Sequence, residues 1–98
     1  MILSAHHCRE IVTPEIALYA IKQLTEEYKK NPAITKIVDN YNLWVVPILN
    51  VDGLEYTWKV NNMWRKNRKP HTSGPYGVDL NRNYDLDWYK CGKFIKFF

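Results

Sequence analysis

Two residue types that catalytic zinc ions take as ligands, an imidazole and a carboxylate, lie three positions apart near the start of the chain. They are His7 and Glu10. A catalytic zinc ion needs several ligands and a position left open for water, so this pair supplies only part of a site. His6 is adjacent, but neighbouring side chains of an extended segment point to opposite sides, and His7 has the better spacing to Glu10. The pair therefore predicts two zinc ligands, and the rest of the chain must supply the context.

A second group of residues that could do chemistry lies between positions 61 and 83. Arg65 follows an indole in a strongly basic run, and Arg82 is flanked by Asn81 and Asn83. Arginine can hold a carboxylate through two parallel hydrogen bonds, and asparagine can add a donor beside it. If this stretch folds over His7, the site would combine a Lewis acid, an oxyanion-stabilising cation and a carboxylate clamp. Those are the parts that a hydrolase of free peptide ends needs.

The elements that must position these residues begin with a short strand over residues 1–5, whose apolar residues show no helical period. A helix is predicted to start at Thr13, with Pro14 in its first turn, and to stop at 31–32. Apolar residues at spacings of three, four and seven predict one buried face on that helix. They are Ala17, Ala20, Ile21, Leu24 and Tyr28.

One or two further helical turns are predicted from Ile34 to Val38, before the apolar run over residues 43–49. That run predicts a buried strand. Strand, helix and strand in this order predict an α/β fold, with a parallel pair joined by a right-handed crossover. The stretch from Asn50 to Asn83 opens with a turn signal and has little regular period, so we predict a long functional loop.

Length and composition are those of one domain at most. The 98 residues are 46% hydrophobic, enough for a modest core, and the apolar run over 43–49 is too short to cross a bilayer. The first residues lack the pattern of a signal peptide. The formal charge of +4 comes largely from the basic run and the C-terminal lysines. Cys8 and Cys91 are interpreted as two unrelated thiols, with Cys8 a small buried neighbour.

Four motifs in order resemble the zinc metallocarboxypeptidases of the carboxypeptidase A type, the M14 peptidases, and look closest to the bacterial carboxypeptidase T branch. The motifs are His7-Cys8-Arg9-Glu10, Asn50-Val51-Asp52-Gly53, Trp64-Arg65-Lys66-Asn67-Arg68 and Val78-Asp79-Leu80-Asn81-Arg82-Asn83. The resemblance implies a zinc carboxypeptidase-like fold, a partial mixed sheet with flanking helices. We expect a partial catalytic domain over residues 1–88, lacking both ends of the family domain. Residues 89–98 are an atypical tail, interpreted as a truncation or frameshift product.

The resemblance also implies roles for individual residues. His7 and Glu10 match the first two ligands of one Zn²⁺ ion, and Arg65 matches the arginine that polarises the scissile carbonyl and stabilises the oxyanion. Asn81 and Arg82 match the pair that binds the terminal carboxylate of a peptide or protein substrate. Arg9 matches an arginine that positions the peptide upstream of the cut. Scaffold roles fall to the remaining motif residues, which are Asp52, Gly53, Asp79 and Asn83.

The chain departs from the family pattern downstream of Arg82. The family's third zinc ligand, a histidine, its substrate-covering tyrosine and its general-base glutamate have no counterparts here. His71 precedes Asn81 and so stands in the wrong order. We therefore expect the 98 residues by themselves to be inactive.

Three alternatives remain beside the carboxypeptidase interpretation. One is an inactive or binding-only protein of the same fold, and another is an M14-type amidase acting on peptidoglycan stem peptides. The third is a nucleic-acid-binding module built on Arg65 to Lys69 beside Trp64, which explains the charge but neither His7 with Glu10 nor Asn81 with Arg82. We expect no nucleic-acid partner and no membrane span, and the family resemblance alone suggests a secreted or extracellular location.

Overall fold

The computed structural model describes residues 1–72 and 76–86, which form short strands, helices and connecting loops. The elements in chain order are β1 (Ile2–Leu3), α1 (Val12–Glu26), α2 (Pro32–Asn40), β2 (Val45–Val46), α3 (Val51–Lys59) and a 3-10 helix (Leu80–Arg82). These residues divide into two compact units. The first contains residues 1–4 and 11–49, and the second contains residues 5–10 and the described residues from 50 onward. The predicted tail over 89–98, with Cys91, lies outside the described residues.

The first unit is built on a parallel pair of strands. Ile2 is aligned with Val45 and Leu3 with Val46. Backbone hydrogen bonds extend the pairing at both ends, from Ile2 N to Trp44 O at 2.7 Å and from Ser4 N to Val46 O at 3.0 Å. Helix α1 packs against α2 and β2. The predicted strand-helix-strand order with a parallel pair is confirmed.

The predicted buried strand over 43–49 is wrong in length and in burial. Strand β2 has two residues, both half-buried, and the preceding Trp44 is 71% exposed. Pro47 has no backbone N–H to give to a ladder, so regular pairing ends in front of it. Pairing resumes only at Leu49, whose N–H donates to Ser4 O at 3.0 Å.

Helix α1 differs from its prediction at both ends. It begins at Val12 with Ile11 as its N-cap residue, so Thr13 lies inside the helix rather than at the cap, and it ends at Glu26. The Asn31–Pro32 signal instead starts α2, because the Asn31 side chain accepts from two N–H groups of the next turn and Pro32 takes the first helical position. The predicted inner face of α1 is confirmed in part. Ala17 is fully buried, and Ala20, Ile21 and Leu24 are half-buried. Tyr28 is also half-buried but lies beyond the end of α1.

The second unit corrects the predicted irregular loop after Asn50, because residues 51–59 form α3. Asn50 is the N-cap, with its side-chain oxygen accepting from Gly53 N at 3.1 Å. Asp52 lies in the first turn, where a carboxylate is favoured by the helix dipole. The Asp52–Gly53 pair resembles a turn signal, but here it lies in the first turn of a helix that Asn50 caps.

Gly53 is required by a close approach rather than by a turn. It is buried, and a Cβ atom placed on it would lie 2.6 Å from the backbone oxygen of Lys66 and 2.5 Å from Oδ1 of Asn50. The helix can therefore touch the segment that carries Arg65 only where no side chain intervenes. This contact packs α3 directly against the backbone of that segment.

Gly53→Ala is expected to destabilise the protein by about 1–3 kcal/mol, since the backbone of Lys66 must shift to admit the methyl group. The sign of the change in unfolding free energy distinguishes this explanation, because alanine normally stabilises a helix interior by about 0.5–1 kcal/mol relative to glycine. Urea unfolding followed by circular dichroism measures the change. Glu55→Ala, an exposed position of the same helix, is the control and should move the midpoint far less. Equal or greater stability of Gly53→Ala would contradict the close approach.

Candidate active site

His7 is the centre of the candidate site and lies buried between two carboxylates. Only 4% of the residue is exposed. Its Nδ1 lies 2.9 Å from Oε1 of Glu10, and its Nε2 lies 2.9 Å from Oδ1 of Asp79. A buried imidazole needs partners for its ring nitrogens, and here each nitrogen has a carboxylate. The sequence-predicted pair is thus brought together, with a third acidic group on the far side of the ring.

The backbone around His7 is fixed by hydrogen bonds within the second unit. Ala5 adopts a φ of 52°, which turns the chain sharply ahead of the two histidines. Asn50 holds this turn twice, through its N–H to Ala5 O at 3.2 Å and its side-chain amide to His6 O at 3.0 Å. A further bond from Glu10 N to His7 O at 3.1 Å folds the motif so that both predicted ligands meet.

Asp79 joins His7 to Arg65. Its Oδ2 accepts from Nε of Arg65 at 3.0 Å while Oδ1 faces His7, and 13% of its side chain is exposed. Burial acts to raise the pKa of this carboxyl group, but hydrogen bonds and charge interactions with Arg65 and His7 outweigh burial and lower the pKa below its ordinary 3.8. Asp79 is therefore a carboxylate at neutral pH, as a partner of two cationic or donor groups must be.

Arg65 is held by its inner nitrogen and leaves its outer nitrogens near the His7–Glu10 pair. Nη1 lies 3.6 Å from Oε1 of Glu10, and 29% of the side chain is exposed. The Nε bond to Asp79 fixes the plane of the guanidinium group. The cation thus lies beside the predicted ligand carboxylate, still accessible from solvent, where an oxyanion could approach it.

Two small side chains, those of Cys8 and Thr57, contact the backbone of the segment that carries Arg65. The buried Cys8 thiol donates to Trp64 O at 3.0 Å, which confirms its predicted place as a small buried neighbour. The Thr57 hydroxyl lies 2.9 Å from Gly53 O and 3.5 Å from Trp64 O. Hence α3 and the His7 motif contact the same carbonyl next to Arg65.

Arg68 is enclosed by aromatic rings rather than presented to solvent. Its guanidinium carbon lies 3.7 Å from the ring centre of Tyr56, 4.7 Å from that of Trp64 and 4.9 Å from that of Tyr76. Such stacking is favourable for a delocalised cation. The guanidinium group is therefore half-buried, and its stacking stabilises this segment.

The other predicted substrate-binding residues lie at the surface. Arg9 donates from Nη1 to Met63 O at 3.3 Å, and Arg82 donates from Nη1 to the carbonyl of its neighbour Asn81 at 2.9 Å. The backbone N–H of Asn81 donates to Oδ1 of Asp79 at 3.1 Å, which caps the 3-10 helix. One carboxylate therefore orients His7, Arg65 and the start of the Asn81–Arg82 motif.

The residues present fit a zinc ion in part. Nδ1 of His7 and Oε1 of Glu10 converge to 2.9 Å, near the roughly 3.4 Å that separates two ligands of a tetrahedral zinc ion. Asp79 behind Nε2 is the outer carboxylate that metal-bound histidines commonly have. Within residues 1–72 and 76–86, no group of three or more His, Cys, Asp or Glu side chains is arranged to hold a metal. Among the described residues, the predicted donor set therefore consists of His7 and Glu10.

Sequence reasoning missed two residues of this site. Asp79 was assigned a scaffold role, although it contacts both His7 and Arg65. Asn50 was interpreted only as the start of a loop, although it holds the His6 carbonyl and caps α3. The available signal for Asp79 was chemical, since a metal-binding histidine needs a carboxylate or carbonyl for its second nitrogen.

The comparisons with known proteins agree with one another. The Zinc carboxypeptidase family model, Peptidase M14, matches residues 1–95. Carboxypeptidase O of Homo sapiens is 39% identical over 87 residues, covering 88% of this chain and 23% of that protein. Metallocarboxypeptidase A of Arthroderma otae is 46% identical over 87 residues, covering 88% of this chain and 21% of that protein.

A solved structure shows the same likeness in three dimensions. The crystal structure of thrombin activatable fibrinolysis inhibitor matches with a TM-score of 0.81 and 38% sequence identity, over 93% of this chain and 23% of that one. The chain thus spans about a quarter of the length of the relatives that it matches. Family model, sequence relatives and fold together show that the chain belongs to the zinc carboxypeptidase family, peptidase M14.

Proposed function

We propose that this chain contributes zinc-binding and substrate-binding residues of a metallocarboxypeptidase that hydrolyses the C-terminal peptide bond of peptides or proteins. The observation that carries the proposal is the set of contacts that joins His7 to Glu10 on one side of the ring and, through Asp79 on the other side, to Arg65. The members of this set that have assigned family roles, His7, Glu10 and Arg65, were identified from motifs far apart in the sequence.

His7 and Glu10 are the residues that would hold the zinc ion. When bound, zinc would polarise a water molecule and the scissile carbonyl. For Nδ1 of His7 to act as a ligand, its proton must reside on Nε2, and Asp79 accepts a hydrogen bond at that position. Asp79 thereby holds the ring in the tautomer and orientation that metal binding requires.

Arg65 is the group proposed to stabilise the oxyanion. Its Nε is committed to Asp79, so the guanidinium need not reorient when charge develops on the substrate. Donors that are already in place before the reaction stabilise such charge best, and removing one typically costs a factor of about 10²–10³ in rate. Nη1 of Arg65 lies 3.6 Å from Oε1 of Glu10, so this cation is beside the proposed metal ligand.

Asn81 and Arg82 are proposed to bind the terminal carboxylate, and Arg9 to position the peptide upstream of the cut. All three are exposed, so each is accessible to a substrate. The fork of an arginine side chain suits a carboxylate, and asparagine adds a donor. The partner of this site is therefore a free C-terminus of a peptide or protein.

The basic run offers less to a nucleic acid than its sequence suggests. Arg65 is paired with Asp79, and Arg68 is stacked among three aromatic rings. Neither guanidinium is fully available to phosphates. The relatives reported above are carboxypeptidases by name, which favours the peptidase over the stem-peptide amidase.

Several finer expectations stay predictions. The carboxypeptidase T branch finds no support among the relatives above, which are named carboxypeptidase O and metallocarboxypeptidase A. A secreted or extracellular location rests on the family resemblance alone, and so do the division into residues 1–88 and 89–98 and the origin of the tail. None of the helices in the described ranges has the length and apolar character needed to span a bilayer.

Zinc binding is expected to depend on His7 and not on its neighbour. Because the described donor set has two ligands, the chain should bind Zn²⁺ weakly, lose it on dialysis and release no C-terminal residue from a blocked dipeptide. His7→Ala and Glu10→Gln should each weaken binding by at least about tenfold. Competition with a chromophoric chelator measures the affinity. His6→Ala is the matched control, since His6 contacts the Tyr84 hydroxyl instead. Binding lost in His6→Ala but kept in His7→Ala would refute the assignment.

Stability is expected to depend on the charge of Asp79. Its folded-state pKa is lowered, so its contribution is fully present above its ordinary pKa of 3.8 and disappears as the pH falls through the folded value. Asp79→Asn should lower the unfolding free energy by about 1–2 kcal/mol near pH 5.5, and this difference should shrink below about pH 4. Urea unfolding between pH 5.5 and 2.5 tests the prediction. Asp39→Asn, in the first unit, is the control for general effects of acid. A difference in unfolding free energy between wild type and Asp79→Asn that grew as the pH fell would contradict the prediction.

Recognition of a free carboxylate is expected to depend on Arg82. A blocked dipeptide with a free C-terminus should shift the NMR resonances of Asn81 and Arg82, and the corresponding C-terminal amide should not, because it offers no anion. Arg82→Gln should abolish the shifts, whereas Arg68→Gln, which changes a stacked arginine, serves as the control for charge. Equal shifts with acid and amide would overturn the proposed clamp.

A further inference from the structure

Two segments of the second unit lie side by side and are joined by hydrogen bonds that centre on Asn67. Its backbone N–H donates to Val78 O at 3.1 Å, and its side-chain Oδ1 accepts from Val78 N at 2.8 Å. One residue thus holds both polar backbone groups of Val78. The Asn67 side chain does here what a backbone carbonyl does in a β-ladder, where two residues exchange hydrogen bonds.

The same side chain and its neighbours fix the rest of the contact. Oδ1 of Asn67 also accepts from Lys69 N at 3.1 Å, and Gly77 N donates to Lys69 O at 2.9 Å. Gly77 is buried and has a φ of 89°, and a Cβ atom on it would overlap the Asn67 carbonyl. The indole of Trp64 donates to that carbonyl at 3.3 Å. This contact, which we call the Asn67 latch, has little freedom to slide.

The latch lies directly next to the residues that surround His7. On one segment, Val78 precedes Asp79, whose two carboxylate oxygens contact His7 and Arg65. On the other segment, Arg65 lies two residues before Asn67. A shift of Val78 by even a fraction of an ångström would lengthen the hydrogen bonds of Asp79, which depend on distances near 3 Å. The position of Asp79 therefore depends on what holds Val78.

We propose that Asn67 is a positioning residue, whose side-chain oxygen fixes Val78 so that Asp79 is held in register with both His7 and Arg65. The chemical requirement is an acceptor oxygen at the position of Oδ1. The inference rests on the proposed function for its catalytic consequence alone, since the placement of Asp79 can be measured without zinc and without turnover.

The test is NMR spectroscopy of the full chain, with Asn67→Leu against Asn67→Asp. Leucine keeps the size of the side chain and removes the acceptor, whereas aspartate keeps the acceptor. In the wild type, the Nε–H of Arg65 should give a resonance shifted by its bond to Asp79 and protected from solvent exchange; Arg65→Lys assigns it. We expect Asn67→Leu to abolish this signature and to speed amide exchange at Val78 by about five- to tenfold. Asn67→Asp should retain both.

Matched variants separate positioning from general loss of structure. Asn40→Leu makes the same substitution at an exposed side chain that bonds Lys36 O in the first unit, and it should leave the Arg65 resonance unchanged. If Asn67→Leu fails to fold, Asn67→Ser, which is smaller and cannot reach Val78 N, provides the same comparison. An unchanged Arg65 resonance in a folded Asn67→Leu or Asn67→Ser protein overturns the proposal, and so does its loss in Asn67→Asp.

Failure of this proposal and failure of the proposed function give different results. If the Arg65 signature follows Asn67 as expected but zinc binding does not depend on His7, the latch stands and the zinc site does not. If zinc binding depends on His7 but the Arg65 signature ignores Asn67, the function stands and the latch is refuted. Titration of each variant with Zn²⁺ alone measures both quantities in the same sample, namely the Arg65 resonance before zinc is added and zinc binding afterwards.

Discussion

The burial of His7 between Glu10 and Asp79 is the interaction on which the described site depends. A buried imidazole without partners costs about 1–3 kcal/mol for each unsatisfied polar group, and hydrogen bonds to charged groups stabilise by a similar amount. The partner of Nε2 must therefore come from Asp79, 72 residues away in the sequence, while Glu10, three residues away, lies beside Nδ1. Much of the second unit is arranged around meeting that requirement.

Asparagine side chains meet this requirement where backbone pairing does not reach. Asn50 holds the turn ahead of His7 and caps α3, and Asn67 holds Val78 beside Asp79. Each amide replaces a backbone partner in a stretch that has no continuous strand ladder. Gly53 and Gly77 add to the arrangement, since each lies where another segment approaches too closely for a side chain. Irregular backbone is thereby held in a defined position, as a functional site requires.

Asp79 also shows how one charge serves several parts of a site. It accepts from Arg65, faces His7 and caps the turn that begins the Asn81–Arg82 motif. The hydrogen bonds that lower its pKa are those that keep it charged while it is mostly buried. Replacement of this residue would therefore disturb the proposed metal ligand, the proposed oxyanion-stabilising arginine and the proposed carboxylate clamp together. A site that shares one carboxylate in this way is compact, but its residues are energetically coupled.

The sequence by itself determined the local chemistry and the order of elements. The spacing of His7 and Glu10 predicted a pair of ligands, the resemblance to four family motifs implied roles for Arg65, Asn81 and Arg82, and periodicity predicted the strand-helix-strand order with its parallel pair. These signals are local. Tertiary structure decided what depends on contacts between distant segments: the shortness of β2, the helix after Asn50, and the roles of Asp79 and Asn67. A capped helix with an internal glycine resembles a loop in sequence, and a carboxylate 72 residues from a histidine gives no local sign that the two will meet. Only the folded chain brings them to 2.9 Å, and that distance makes Asp79, which the sequence assigned a scaffold role, part of the candidate site.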